Sequence, residues 1–123
     1  MRLLLDTHVL LWWLNDDRSL TDEHRRLIQD KRNSCYVSAA TVWEISIKSG
    51  IGKLEIASEY LDVVRSQGFL ELPVSWLHVN AVRELPEHHR DPFDRLLVAQ
   101  ATIEGMVLLS VDPVIRKYGI TVL

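Results

Sequence analysis

Five acidic residues of this sequence lie at the ends of apolar runs or on apolar helices: Asp6, Glu44, Asp91, Asp94 and Asp112. Asp6 directly follows three leucines, and Asp112 follows the run Val107–Val111. A carboxylate placed against so much apolar sequence costs free energy unless something pairs with it. One divalent metal ion can pair with several carboxylates at once, so the set predicts a metal site.

The chemistry of such a site follows from charge. Like charges held close together raise one another's pKa and disfavour the ionised form. Mg²⁺ or Mn²⁺ reverses this effect, because both ions prefer hard oxygen ligands. Mg²⁺ keeps several waters, which leaves room for a phosphate oxygen and an attacking water. The site can then orient or deprotonate that water and stabilise a phosphorane-like transition state, so the acids predict phosphodiester hydrolysis.

The elements that must position these acids alternate between short apolar strands and helices. Strands are predicted at Leu3–Leu5, Cys35–Ser38, Phe69–Leu72, Val107–Val111 and Ile120–Leu123. Helices are predicted at Val9–Leu14, Thr21–Lys31, Thr41–Lys48, Ala57 or Ser58 to Gln67, Ser75–Leu85 and Pro92–Glu104, with a short helical turn at Pro113–Lys117. This alternation predicts a three-layer α/β fold, in which a parallel sheet of short strands has helices on both faces.

Active sites of open α/β sheets lie beyond the carboxyl ends of the strands. Asp6 and Asp112 fall at that edge, and Glu44 and Asp94 are predicted in the first turns of helices that begin there. The four acids are therefore expected to meet at one rim of the sheet. Asp91 is different, because a position directly before Pro92 is typical of a helix N-cap.

Each of the other four acids also has a structural explanation. These are a helix cap for Asp6, a capping box with Thr41 or an ion pair with Lys48 for Glu44, a helix-dipole interaction for Asp94, and a turn before Pro113 for Asp112. None of these explanations accounts for the meeting of all four at one rim.

Composition limits the class of protein. The 123 residues fit one domain (1–123), and 47% hydrophobic with 25% charged residues is typical of a soluble globular protein. No apolar run approaches the roughly 20 residues that span a membrane, and the N-terminus turns acidic too soon for a signal peptide. Cys35 is alone, which fits a reducing cytoplasm. The net charge of −3 argues weakly against nonspecific nucleic-acid binding.

Four segments, taken in order, resemble a PIN-domain ribonuclease, and in particular a VapC-type toxin of bacterial toxin–antitoxin pairs. They are Leu4-Leu5-Asp6-Thr7-His8-Val9-Leu10-Leu11-Trp12, Val37-Ser38-Ala39-Ala40-Thr41-Val42-Trp43-Glu44-Ile45, Asp91-Pro92-Phe93-Asp94-Arg95-Leu96-Leu97-Val98-Ala99-Gln100-Ala101 and Leu108-Leu109-Ser110-Val111-Asp112. Each segment alone is a weak motif, whereas all four at these spacings are a strong signal. The resemblance covers essentially the whole chain.

The resemblance implies a PIN-like fold and places the family's first three acids on Asp6, Glu44 and Asp94. Its more variable fourth acid falls on Asp112, and Asp91 is an additional acid. The resemblance also implies Mg²⁺- or Mn²⁺-dependent endonucleolytic cleavage of RNA, a homodimer, and neutralisation by a cognate VapB-type antitoxin.

Three other classes compete with this interpretation. A receiver-like phosphoacceptor domain also clusters acids around Mg²⁺, but it needs a Lys at the end of a late strand, where this chain has Asp112. A haloacid-dehalogenase-type phosphatase needs a second Asp where this chain has His8. A PIN-like module that binds RNA or protein without cutting it stays open, although the intact acids favour an enzyme.

Several other residues near the acids also have predicted roles. His8 is expected to be structural, and His88 and His89 to lie on a solvated loop, while Thr7 and Ser110 are expected to be ordinary strand-end hydroxyls. Candidate contacts to an RNA backbone are Lys48, Lys53, Arg90, Arg95 and Arg116, of which Arg90 and Arg95 are nearest the acids. Adjacent Trp12 and Trp13 cannot both face inward from one helix, so one is expected to line a groove for the antitoxin or a dimer partner.

Overall fold

The computed structural model describes residues 1–123, and its centre is a four-stranded sheet. The strands are β1 Arg2–Leu5, β2 Ser34–Ser38, β3 Leu70–Leu72 and β4 Val107–Leu109. The α-helices are α1 Thr7–Leu14, α2 Asp22–Gln29, α3 Ala39–Gly50, α4 Tyr60–Ser66, α5 Trp76–Ala81 and α6 Pro92–Glu104. Short 3-10 helices at Val82–Glu84 and Ile115–Tyr118 complete the fold.

All pairings between the four strands are parallel, in the spatial order β3-β2-β1-β4. Leu4, in the middle of β1, pairs with Tyr36 on one side and Leu108 on the other. The chain first builds the sheet outward from β1 to β3 and then returns to add β4 on the opposite side of β1. The crevice beyond the carboxyl ends of β1 and β4 is therefore the position where open α/β sheets bind ligands.

Two hydrophobic cores cover the two faces of the sheet, which confirms the predicted three-layer α/β fold. Leu3 and Leu5 belong to one core, with side chains from α1 and α3. Leu4 points to the other face and packs there with side chains from α6. All three leucines are fully buried, because β1 lies in the middle of the sheet and has helices on both sides.

The predicted capping box of Thr41 and Glu44 is wrong. Helix α3 begins at Ala39, and its N-cap is Ser38, whose hydroxyl accepts a hydrogen bond from the Ala40 amide at 3.0 Å. Ser38 is the last residue of β2, so the strand passes into the helix without a loop. Glu44 therefore lies in the second turn of α3 and not in the first.

The Ser38 hydroxyl also donates a hydrogen bond to Gln100 Oε1 at 2.6 Å, across the sheet edge to α6. Gln100 is fully buried and donates in turn to the Pro73 carbonyl at 3.2 Å. This buried polar chain fixes α3 relative to α6, and those two helices carry Glu44 and Asp94.

The last predicted strands are shorter than expected. Strand β4 ends at Leu109, because the Ser110 hydroxyl accepts from the Asp112 amide at 3.0 Å and turns the chain. Asp112 accepts from the Val114 amide at 2.9 Å, which confirms its place at a turn. The predicted strand Ile120–Leu123 forms one parallel bridge, between Leu108 and Val122.

None of the helices has the length and apolar character that crossing a membrane requires.

We predict that Ser38→Ala lowers the free energy of unfolding by roughly 2 to 3 kcal/mol, because it removes a helix cap and leaves Gln100 Oε1 buried without a donor. Urea unfolding measures the change. The matched control is Ser46→Ala in the same helix, where the hydroxyl is exposed and donates only to the Val42 carbonyl. That control should change stability by less than about 0.5 kcal/mol. Equal losses in the two variants would contradict the assigned cap.

Candidate metal centre

Asp6 is the first residue after β1, and its position serves two purposes. Its Oδ1 accepts from the Val9 amide at 2.8 Å and caps α1, so the structural explanation of this acid is confirmed. Asp6 is only 4% exposed, and burial raises the pKa of its carboxyl, against the opposing effects of the Ser110 hydroxyl and the Val9 amide. Capping therefore does not remove the free-energy cost of this buried charge.

The N-terminus of α6 places Asp94 beside Asp6. Asp91 is the N-cap, as predicted, since its Oδ1 accepts from the amides of Phe93 at 2.8 Å and Asp94 at 3.1 Å. Pro92 occupies the first helical position, where its missing N–H loses no hydrogen bond. Asp94 then falls in the first turn of α6, and its side chain lines the crevice that Asp6 also lines.

The pKa of Asp94 is raised to about 7. Burial is the largest cause and the charge of Asp91 is the next, while His89 partly opposes them. Asp6 and Glu44 also raise this pKa, so the charges of three other acids act on Asp94. The site thus has an excess of negative charge that a bound cation would relieve.

Asp112 and His89 complete the cluster. His89 Nε2 lies 2.8 Å from Asp112 Oδ2 and 3.1 Å from Asp94 Oδ2. Burial alone would raise the pKa of Asp112, but hydrogen bonds from His89 and the Val114 amide outweigh it and lower that pKa. The prediction of a solvated loop is wrong for His89, whose side chain is only 18% exposed.

The loop before α6 is held by Arg95. Its guanidinium donates to the carbonyls of Pro86 at 2.9 Å and Val82 at 3.0 Å, and to the Tyr118 hydroxyl at 3.3 Å. The same hydroxyl accepts from the His89 amide at 2.8 Å. Arg95 is a candidate contact to RNA by sequence, and in this structure its guanidinium holds the loop that carries His89.

Glu44 is buried in α3 with both carboxylate oxygens engaged. Oε1 accepts from the Thr7 hydroxyl at 2.7 Å, and Oε2 pairs with Lys48 at 2.6 Å. The hydrogen bond to Glu44 raises the pKa of Lys48. The predicted ion pair between Glu44 and Lys48, four residues apart, is therefore present. The Lys48 ammonium places one positive charge of the chain next to the acids.

An open crevice of about 260 Å³ contains the site. Its lining residues are Asp6, His8, Trp12, Asp94, Val111 and Asp112. The structure thus brings three of the four predicted acids to one crevice, with Glu44 buried beside it. His8 was expected to be structural, yet it is exposed here and its ring centroid lies 5.8 Å from that of Trp12.

The donor set fits the expected ions. Carboxylate oxygens are hard ligands, which Mg²⁺ and Mn²⁺ prefer over the softer ligands that select zinc or copper. Asp94, Asp112 and His89 offer polar atoms that all lie within 4.8 Å of one another, a separation that one ion can bridge. The raised pKa of Asp94 is a second reason to expect a bound ion, because a cation stabilises the ionised form of this carboxyl.

Comparison with known proteins agrees with this architecture. The family model of the PIN domain matches residues 3–120, so the chain belongs to the PIN-domain family. The PIN part of the resemblance noted in the sequence is thereby confirmed. A search of curated proteins gives no match.

Solved structures show the same fold at low sequence identity. VapBC2 from Rickettsia felis, bound to a DNA fragment from its promoter, is similar with a TM-score of 0.74 and 16% identity, covering 100% of this chain and 98% of that chain. FitAcB from Neisseria gonorrhoeae is similar with a TM-score of 0.59 and 17% identity, and the match covers 98% of this chain and 96% of that chain. A toxin–antitoxin complex from Klebsiella pneumoniae also has a TM-score of 0.59 and 17% identity, and that match covers 89% of this chain and 85% of that chain.

We predict that the metal-free protein loses stability as the pH rises from about 4 to about 7. The folded state holds the Asp94 proton up to about pH 7, whereas the unfolded state releases it near 3.8. Folding therefore takes up a proton in this window, and stability falls as pH increases. Asp94→Asn should remove this loss and stabilise the metal-free protein by roughly 1 to 3 kcal/mol at pH 8.

Urea unfolding in EDTA at several pH values measures this effect. The control is Asp62→Asn, which changes an exposed acid on α4 and should keep the wild-type slope. If Asp94→Asn instead lost stability without metal, the role of Asp94 at the start of α6 would be structural.

Proposed function

We propose that this protein is a Mg²⁺- or Mn²⁺-dependent endoribonuclease toxin of the VapC type, neutralised by a cognate VapB-type antitoxin. The observation that carries the proposal is the convergence of Asp6, Asp94 and Asp112 on one crevice where open α/β sheets bind ligands. The family supports nuclease chemistry in general, and the similar structures include a toxin–antitoxin complex from Klebsiella pneumoniae and VapBC2 from Rickettsia felis.

In this proposal Asp6, Asp94 and Asp112 hold the ion through carboxylate oxygens. When bound, the ion lowers the pKa of a water and stabilises the charge that develops on the phosphate. Glu44 is the fourth acid of the site. Each oxygen of Glu44 already has one partner, Thr7 at Oε1 and Lys48 at Oε2, so direct binding of the ion by Glu44 would use the lone pairs that these contacts leave free.

The proposed substrate is RNA. A phosphodiester backbone would meet a crevice lined by acids, so approach depends on the bound cation and on nearby basic side chains. Arg90 is exposed and directly follows His89 at the rim, and Lys53 is also exposed. With a net charge of −3 overall, binding is expected to be confined to this site.

Exposed apolar side chains support the proposed protein partners. Trp76 is 94% exposed and Trp43 is 60% exposed, although large apolar residues are usually covered in a protein that acts alone. Trp43 packs edge-on against Phe93 at the start of α6, with ring centroids 5.1 Å apart. We assign these surfaces to a homodimer and to the antitoxin. The cytoplasm is where such a pair would meet its RNA.

One observation favours a second candidate, a PIN-like module that binds RNA or protein without cutting. Lys48 already pairs with Glu44, and His89 Nε2 already hydrogen-bonds to Asp112 and lies 3.1 Å from Asp94. The acids are thus partly satisfied by the chain itself. The two candidates differ in whether RNA is cleaved after it is bound.

We predict that purified protein cleaves RNA in Mg²⁺ or Mn²⁺ and that Asp94→Asn lowers the rate by roughly 100-fold or more, because several kcal/mol of charge stabilisation are lost. Sequencing the ends of the RNA products measures cleavage. Asp62→Asn, which removes an exposed acid outside the site, should cut at the wild-type rate and positions. Binding of RNA without metal-dependent cleavage would favour the second candidate.

We also predict that Mg²⁺ and Mn²⁺ raise the melting temperature of the wild type, because they bind the folded state only. Asp6→Asn should show a smaller shift. Asn still accepts the hydrogen bond that caps α1, so the variant removes the charge and keeps the helix start. Differential scanning calorimetry with and without each ion gives the result. Equal shifts in the two proteins would remove Asp6 from the ligand set.

A further inference from the structure

We propose that His89 positions Asp94 and Asp112 for the metal ion as a hydrogen-bond donor and does not itself bind the ion. The inference rests on the metal site of the proposed function. It concerns a residue for which the sequence motifs assign no role and whose side chain reaches the site through the loop before α6.

Distance alone would suggest a different role. His89 Nε2 and one oxygen from each of Asp94 and Asp112 lie within 4.8 Å of one another, which is the spacing of a His-Asp-Asp metal triad. In such a triad the Nε2 lone pair would point to the ion. The hydrogen-bond partners of the imidazole ring decide between the two roles.

The other ring nitrogen excludes the ligand role in this loop conformation. The Asp91 amide donates to His89 Nδ1 at 3.0 Å, so Nδ1 presents a lone pair. The ring proton is then on Nε2, where it faces Asp112 at 2.8 Å and Asp94 at 3.1 Å. A histidine that binds a metal through one nitrogen normally donates from the other. If Nε2 bound the ion, the ring proton would be on Nδ1. The Nδ1–H and the Asp91 N–H would then point at each other.

The donor role has a clear physical effect. The Nε2–H donates to Asp112, and Asp94 Oδ2 lies 3.1 Å from the same nitrogen. One N–H group therefore attracts both carboxylates without adding a net charge to the site. The ring is held by the Asp91 amide at Nδ1. The backbone of the loop is held by the Tyr118 hydroxyl, which accepts from the His89 amide, and by Arg95 at the Val82 and Pro86 carbonyls. The two carboxylates are therefore held in place before the ion arrives.

A consequence for metal choice follows. If His89 only donates, the ligand set consists of oxygen atoms alone. Imidazole nitrogen favours zinc, copper and nickel, whereas an all-oxygen set favours Mg²⁺ and Mn²⁺. His89 would thus support selection of hard ions by keeping its nitrogen out of the coordination sphere.

Two variants separate the donor role from simple support of the loop. In His89→Gln, the side-chain amide reaches the position of Nε2 and can donate to the carboxylates. In His89→Asn, the carbonyl can accept from the Asp91 amide as Nδ1 does, but the side chain is too short to reach the acids. Binding of Mn²⁺, measured from the EPR signal of the free ion, is the readout.

We expect His89→Gln to keep Mn²⁺ affinity within about threefold of the wild type and His89→Asn to weaken it by roughly 10- to 100-fold. If His89 only supported the loop, His89→Asn would keep Mn²⁺ affinity and His89→Gln would weaken it. That result would overturn the proposal. Comparable weakening in both variants would also overturn it, because it would indicate a nitrogen ligand that neither side chain replaces.

Two spectroscopic measurements on the wild type are independent of the variants. In metal-free protein labelled with ¹⁵N-histidine, NMR should show the His89 signal, assigned by its loss in His89→Gln, with the proton on Nε2. In the Mn²⁺-loaded protein, pulsed EPR should detect no directly coordinated ¹⁵N. A proton on Nδ1, or a coordinated nitrogen, would contradict the donor role.

The results also distinguish this inference from the proposed function. If Mn²⁺ binds with the expected variant order but RNA is not cleaved, the nuclease proposal fails and the role of His89 stands. If RNA is cleaved and a coordinated nitrogen is found, only the role of His89 fails. A wild type that binds no Mn²⁺ would overturn both.

Discussion

Repulsion among carboxylates at the carboxyl edge of the sheet is the constraint that the surrounding structure has to satisfy. Asp6, Glu44, Asp94 and Asp112 come from four separate elements, and each is held by contacts that do not depend on the others: a helix cap, an ion pair, a helix start and a turn. The buried leucines of β1 and the Ser38–Gln100 contact keep these elements from moving apart. The pKa of Asp94 is still raised to about 7, mainly by burial and then by the charge of Asp91, with smaller contributions from Asp6 and Glu44.

The structural and functional explanations of the acids turn out to be compatible. Asp6 caps α1 through one oxygen and lines the crevice as well, and Asp112 closes a turn while it accepts from His89. A carboxylate has two oxygens with several lone pairs, so a local hydrogen bond leaves capacity for a second partner. The backbone contact fixes the direction of the side chain, which is what a binding site requires. Asp91 differs, because its side-chain hydrogen bonds are those of a helix cap, with one oxygen accepting from two amides.

Much of this arrangement could be predicted from the sequence, because strong local signals mark it. The leucine run identifies the central strand, Asp91-Pro92 marks the start of α6, and strand order brings the acids together. Other features depend on contacts distant in sequence. Nothing local shows that Ser38 bonds to Gln100 and so caps α3 ahead of Thr41, or that Arg95 folds back to hold the loop. His89 was missed for the same reason: its partners Asp112 and Tyr118 lie more than 20 residues away.

The strand order also has a consequence for the time at which the site can form. Of the four strands, β1 is synthesised first and its neighbour β4 last, and their pairing joins Leu5 to Leu109. A growing chain on the ribosome has neither Asp94 nor Asp112 while β1, β2 and β3 are being made. Such distant pairing is slow to form. The chain therefore stays without a complete acidic cluster until nearly the whole domain has left the ribosome.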